Sequence, residues 1–135
     1  MAEYLKHYSI GIEEIDNQHL ELLARFDRFV AALDDNEGRE RLAPLVAFLA
    51  EYTNTHFATE EGYHRLYGYP GVESHREDHR GIRNRMLELR AKLEEEGASD
   101  ALVQSTSRML VHCLSDHFCK VDKAFADFVR SRKAP

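Results

Sequence analysis

In the stretch THFATEEGYH (55–64), His56, Glu60 and His64 stand four residues apart. Four-residue steps on an α-helix stack side chains on one face, and here that face continues the apolar line Leu42, Leu45, Leu49 and Tyr52. The pattern recurs along the chain. His19 falls inside a stripe of Ile15, Leu22 and Phe26, and His75 and His79 (HREDH) run on into Ile82, Met86 and Leu89. His117 follows Leu110 and Leu114 and precedes Val121. One inward histidine is ordinarily a core residue bonded to a neighbour. Five of them with a carboxylate need more, because each unpartnered buried polar group costs roughly 1–3 kcal/mol against a total stability of roughly 5–15 kcal/mol. Neutral imidazole and carboxylate are natural metal ligands. Five nitrogens and at least two oxygens are too many for tetrahedral zinc and suit iron or manganese, often as a pair, in the core of a helical bundle. Glu60 is one carboxylate. Asp122, five residues after His117, is the candidate for the second; on an ideal helix it stands about 140° round from His117 and approaches from the flank. Asp116 and Asp127 are its rivals and read better as solvated surface charges.

Four helical pieces have to position these groups. Polar, glycine-containing breaks at DDNEGRE (34–40), LYGYPGVES (66–74) and EEEGASD (94–100) separate them, with Ser99 or Asp100 as an N-cap and Pro44 tolerable only near a helix start. The first piece carries Ile12 to Leu33, including Val30; strand-like alternation is absent. Short loops between long amphipathic helices predict an all-α, antiparallel up-down-up-down four-helix bundle over residues 12–135, a single domain preceded by an N-terminal arm (1–11). That connectivity brings His19, His56, His75, His79 and His117 to the same end. Gly62 costs about 1 kcal/mol inside a helix and is expected to loosen its turn. Tyr4 and Tyr8 are expected to pack on the bundle, and His7 and His112 to lie on the surface.

The 135 residues are 43% hydrophobic and 31% charged, an ordinary globular balance. A net charge of −6 argues against nucleic acid and anionic membranes as partners. No run reaches the roughly 20 apolar residues of a membrane span, and the first residues lack the pattern of a secretory signal, so a cytoplasmic protein is expected. Cys113 and Cys119, six apart, point to different sides of a helix and are expected not to pair. Mixed surface charge predicts a monomer.

The strings GIEEIDNQH (11–19), HFATEE (56–61), GYPG followed by His75 and His79, and HFCKVD (117–122) occur in order, one per helical piece. Together they resemble hemerythrin, in particular its single-domain bacterial members, over nearly the whole chain. The resemblance implies a non-haem di-iron centre with an oxo or hydroxo bridge. In it, His75, His79 and His117 bind one iron, His19 and His56 bind the other and leave a position open, and Glu60 and Asp122 bridge the two. It implies reversible O2 binding, as carrier, store or scavenger, and no enzymatic turnover, with Leu114 and Phe57 at the O2 pocket. Two ferrous ions against two carboxylates and a hydroxide leave a charge of about +1, which an apolar core can hold. His64 departs from the family pattern, where an apolar residue is usual. It turns out to solvent near the helix end or is structural, or it coordinates iron, or it faces the O2 pocket, where a proton donor would favour a peroxidase- or oxidase-like enzyme; a site that handles NO is a further enzymatic alternative. An O2- or iron-sensing module is the remaining alternative.

Overall fold

Each break in the periodicity ends a helix. The computed structural model describes residues 9–34, 37–113, 117 and 120–133. Among them are five helices and no strand: α1 (Glu13–Asp34), α2 (Gly38–Tyr67), α3 (Val72–Glu96), α4 (Asp100–Cys113) and α5 (Lys123–Lys133). The fourth helical piece of the sequence is thus divided, and His117 with residues 120–122 follows a π-helical path between α4 and α5. α2 packs against α1, α3 and α4, and α3 packs against α4. None of the described helices is long and apolar enough to cross a membrane. Tyr4, His7, Tyr8, Leu114, Asp116 and Cys119 lie outside the described residues.

The helix ends have local causes. At the end of α2, Gly68 takes the left-handed conformation (φ 63°), and the Tyr69 N–H donates to the His64 carbonyl at 2.9 Å. Carbonyls of the last turn are satisfied in this way, and Tyr69 is folded back beneath α2. α4 opens as predicted, with Ser99 Oγ accepting from the Leu102 N–H at 3.1 Å. Before α1, the Asp16 carboxylate accepts from the Ser9 hydroxyl at 2.7 Å and the Ile10 N–H at 2.8 Å, which fastens that segment to the helix.

Three expectations fail. α2 begins at Gly38, so Pro44 lies inside the helix beyond its first turn; the loss of one i→i−4 bond is tolerated because Leu42, Leu45 and Val46 around it are buried. α2 also runs unbroken through Gly62, since packing on both sides outweighs glycine's propensity. Val30 leaves the apolar stripe and is 38% exposed.

Apolar side chains form two clusters. The larger joins α1 to α4 through Leu22, Phe29, Leu42, Leu49, Met86 and Leu110, and reaches Phe57. The smaller joins Ile10, Ile12 and Ile15 to Phe125, Ala126 and Val129 of α5, with Tyr63, Tyr67 and Tyr69 packed against it. The inward histidines touch both: Phe57 stacks on His79 at 3.9 Å, and Phe125 meets His64 at 4.6 Å.

Gly62 and Gly81 sit in helix interiors with no atom within 4 Å of where a Cβ would stand. Gly62→Ala and Gly81→Ala should each stabilise the protein by about 0.5–1 kcal/mol, because only unfolded-state freedom is removed. A higher urea midpoint with unchanged slope is the expected reading; a lower midpoint contradicts it.

Candidate metal centre

α1 supplies His19, α2 supplies His56 and Glu60, α3 supplies His75 and His79, and the π-helical turn supplies His117 and Asp122. All seven side chains meet in one layer, and none is more than 3% exposed. Glu60 Oε1 lies 2.7 Å from His56 Nε2, 3.5 Å from His79 Nε2 and 3.4 Å from His117 Nε2, while Oε2 lies 3.3 Å from His75 Nε2. Asp122 Oδ1 lies 2.9 Å from His75 Nε2 and 3.1 Å from His117 Nε2, and its Oδ2 lies 3.0 Å from His19 Nε2. These are ion-pair separations, yet apart from the His117 Nε2–Glu60 Oε1 contact, which is a hydrogen bond, the angles are not those of hydrogen bonds. The Nε2 atoms of His56, His75 and His79, Oε2 of Glu60 and both oxygens of Asp122 are buried without a hydrogen bond among the described residues. The angles decide the matter, because lone pairs that converge on a shared space but not on one another are what a chelating site presents.

Two overlapping sets have their donor atoms within 4.8 Å of one another: Glu60, His75, His79 and His117, and His19, His56, Glu60 and Asp122. Either set could hold a metal ion, and Glu60 is common to both. The donors, imidazole and carboxylate only, fit a pair of first-row transition ions.

The far ring nitrogens are held by residues the sequence reading passed over. His56 Nδ1–H donates to Gln18 Oε1 at 2.8 Å, His79 Nδ1–H to Glu61 Oε2 at 2.8 Å, and His117 Nδ1–H to Asp78 Oδ2 at 2.5 Å. Gln18 is fixed in turn by Thr59 at 3.1 Å, and Glu61 by Arg76 at 3.4 Å. Such contacts orient a ligand ring and set which nitrogen keeps its proton. Their signal in the sequence is adjacency: each anchor is next in the chain to His19, Glu60 or His79, and so lies about 100° round the helix, at the seam with a neighbour.

Asp122 does not approach from the flank. In a π-helical turn the hydrogen bonds run i→i+5, so a residue five positions on returns towards the same face, and Asp122 meets His117 at 3.1 Å. Its rival Asp127 is exposed and pairs with Lys123 and Arg130.

A cavity of about 60 Å3 in the larger apolar cluster is lined by Leu22, Leu49, Phe57, Met86, Leu110 and Cys113, with His56 and His117 at its inner end. One water needs roughly 10–15 Å3 by this measure, so a diatomic molecule fits. Phe57 lines this cavity. His64 does not: it is neither at the cavity nor in solvent. It is 1% exposed and lies behind His75, with ring centroids 4.3 Å apart. The helix end that read as solvent-facing is covered by Tyr69, folded back at Gly68, and by Phe125 of α5. His112 is exposed, as expected.

An all-α chain that gathers five imidazoles and two carboxylates into one dry layer belongs to the class of helical histidine–carboxylate metal proteins. Its residues 10–129 match the family model of the hemerythrin HHE cation binding domain, and the chain is a member of that family. Among curated proteins it is similar to the bacteriohemerythrin of Stenotrophomonas maltophilia (strain R551-3), at 28% identity over 91% of this chain and 78% of that one. It is likewise similar to bacteriohemerythrins of Pseudomonas aeruginosa (strain LESB58; 30%, over 89% and 76%) and Clostridium acetobutylicum (23%, over 94% and 100%).

Without an ion, protons take its place. Burial opposes charge at every site, but for His75 the nearness of Asp122 and Glu60 outweighs it and raises the ring to about 9. His117 rises well above the usual range by the same contest, through Asp122, Asp78 and Glu60. Glu60 is held well below the carboxylate range and Asp122 below it too, against burial, by the surrounding imidazoles. Burial lowers His56, and it lowers His64 to about 4. For the metal-free chain the signs follow. The raised groups His75 and His117 contribute stability that is full below pH 6.5 and lost as pH rises, for His75 through about 9. The lowered groups contribute stability that is lost as pH falls, first His56 and His64 and then the carboxylates. The urea midpoint of the metal-free chain should therefore peak near pH 6.5 and decline towards pH 9. Metal binding at pH 7 should release protons from His75 and His117, measurable in a weakly buffered titration. A midpoint that climbs between pH 6.5 and 9 contradicts the assignment.

Proposed function

We propose that the chain binds O2 reversibly at a non-haem di-iron centre inside an antiparallel up-down-up-down four-helix bundle with an N-terminal arm. In this reading His75, His79 and His117 fill the coordination of one iron. His19 and His56 hold the other and leave a position open, and Glu60 and Asp122 bridge the pair alongside an oxo or hydroxo group. The observation that carries the proposal is an asymmetry. The two donor sets share Glu60, one has three imidazoles and the other two, and the apolar cavity reaches both, at His117 of the richer set and at His56 of the poorer one. When bound, two irons supply the paired electrons that O2 binding needs and that its release returns.

The protein's own residues keep that exchange reversible. Phe57, Leu49, Met86 and Leu110 exclude water from the approach. Apart from the weakly donating Cys113 thiol, whose sulfur accepts from Arg85, the polar groups along the cavity have their protons engaged elsewhere. The Thr53 hydroxyl donates to the Leu49 carbonyl at 2.5 Å, and the Nδ1–H groups of His56 and His117 donate to Gln18 and Asp78. A peroxidase- or oxidase-like enzyme would need a proton donor at the cavity; His64, the sequence's candidate, stands behind His75 instead.

Purified, iron-reconstituted protein should hold two irons per chain. Its reduced form, mixed with O2 in stopped flow, should take up the gas and return to the reduced spectrum under vacuum. Direct passage to the diferric form means an enzyme, and fewer than two irons removes the centre. Leu110→Phe, which fills the cavity at a packing cost of about 1–3 kcal/mol, should slow O2 uptake and leave the iron content at two. An unchanged rate places the entry route elsewhere.

A further inference from the structure

His64 is a buried histidine that the proposed centre leaves without a task. It belongs to neither donor set, and neither of its nitrogens has a hydrogen-bond partner among the described residues. Its ring is confined by Phe125, edge-on at 4.6 Å, by Tyr69 at 5.4 Å, and by His75 at 4.3 Å with a tilt of 47°.

His75 has the complementary need. His56, His79 and His117 each direct the far nitrogen at an oxygen, of Gln18, Glu61 and Asp78. Nδ1 of His75 is buried and reaches none. An ion that takes Nε2, as proposed above, leaves the ring proton on Nδ1. A buried N–H with no acceptor forfeits its hydration without return. The neighbour available to answer it is His64, whose neutral imidazole offers one acceptor nitrogen.

We propose that His64 is a positioning residue: its ring, which in this structure lies tilted against His75 with no hydrogen bond between them, turns when the ion is bound to accept from His75 Nδ1–H, directly or through one bridging water, and so fixes the ring that holds the three-histidine ion. The enclosure by Phe125 and Tyr69 gives His64 the constraint that Thr59 gives Gln18 and Arg76 gives Glu61. This inference rests on the di-iron reading of the site.

The test compares iron-loaded wild-type protein with His64→Leu and His64→Asn, each checked for two irons and for helical circular dichroism, and follows iron loss to an excess of chelator. Leu fills the space but accepts nothing; Asn keeps an acceptor oxygen. Iron loss should be about 10–100-fold faster in His64→Leu, the usual effect of removing an outer partner of a ligand, and within a few-fold of wild type in His64→Asn. A role in packing alone gives the reverse order. Leu indistinguishable from wild type, or Leu and Asn equally leaky, overturns the inference. The wild type gives a reading that needs no variant to fold: in a crystal structure of the iron-loaded protein, a His64 nitrogen must lie within hydrogen-bond reach of His75 Nδ1 or of a water bound to it. A His64 ring turned from both overturns the inference while two bound irons leave the centre standing, so the two failures are distinguishable.

Discussion

Glu60 and Asp122 have no exposed surface, and a carboxylate pair that close in an apolar interior has to be answered by positive charge. Most of the structure is arranged around that demand. Two charges of one sign removed from water are worth many kcal/mol against folding unless paired, far more than a domain of this size has to spare. Imidazoles from α1, α2, α3 and the π-helical turn surround the pair and can answer it in two ways. In the metal-free chain they do so with protons, which is why His75 and His117 are raised while the carboxylates are lowered. With metal present, as proposed, bound cations would take over, and the same rings would serve as neutral ligands. The layer tolerates either occupant because both place positive charge at the same points.

A site of this kind is only as definite as its supports. A side chain that hangs from a helix by two or three rotatable bonds can miss a metal by an ångström, and the outer contacts remove that freedom. Gln18, Glu61 and Asp78 each stand on a helix different from that of the ring they hold: α1 for His56, α2 for His79, α3 for His117. The outer contacts therefore also fasten helix to helix. Local and global order reinforce each other, because a shifted helix would release a ring and a released ring would expose a buried charge. The two apolar clusters complete the arrangement by closing on the layer through Phe57 and Phe125.

Much of this was legible in the sequence, for a physical reason. Helical spacing is rigid enough that a polar residue inside an apolar stripe must face inward, so His19, His56, Glu60, His75, His79 and His117 could be placed from periodicity alone. Asp122 was harder. Its spacing from His117 is wrong for an α-helix, and only the π-helical turn makes it right; nothing in the local residue types announces a widened turn, since its cause is the tertiary demand for a second carboxylate. The outer anchors were missed because Gln18, Glu61 and Asp78 are ordinary surface residue types, and adjacency to a ligand becomes meaningful only when the neighbouring helix is known. The solvent-facing reading of His64 failed because the covering at the end of α2 comes from Phe125, some sixty residues away in the chain. Pro44 misled differently: it marks where a helix resists continuing, and the burial of Leu42 and Leu45 carried α2 past that resistance.

The division of the layer into a richer and a poorer set is what turns a store of buried charge into a site for chemistry. Glu60 touches rings of both sets, so whatever occupies one is felt at the other through a single rigid carboxylate. The cavity reaches the layer at His56 and His117 and is walled by apolar side chains, the weakly donating Cys113 thiol and the Thr53 hydroxyl, whose proton goes to a backbone carbonyl. A small apolar molecule can enter where a hydrated ion or a peptide cannot, and once inside it finds a low-dielectric space in which any charge it acquires is answered only by the layer itself. Charge that cannot be quenched by water must flow back the way it came. On the proposed reading, reversibility is a property of the wall as much as of the ligands, because the larger apolar cluster closes on both sets, through Phe57 against His79 and through the cavity at His56 and His117.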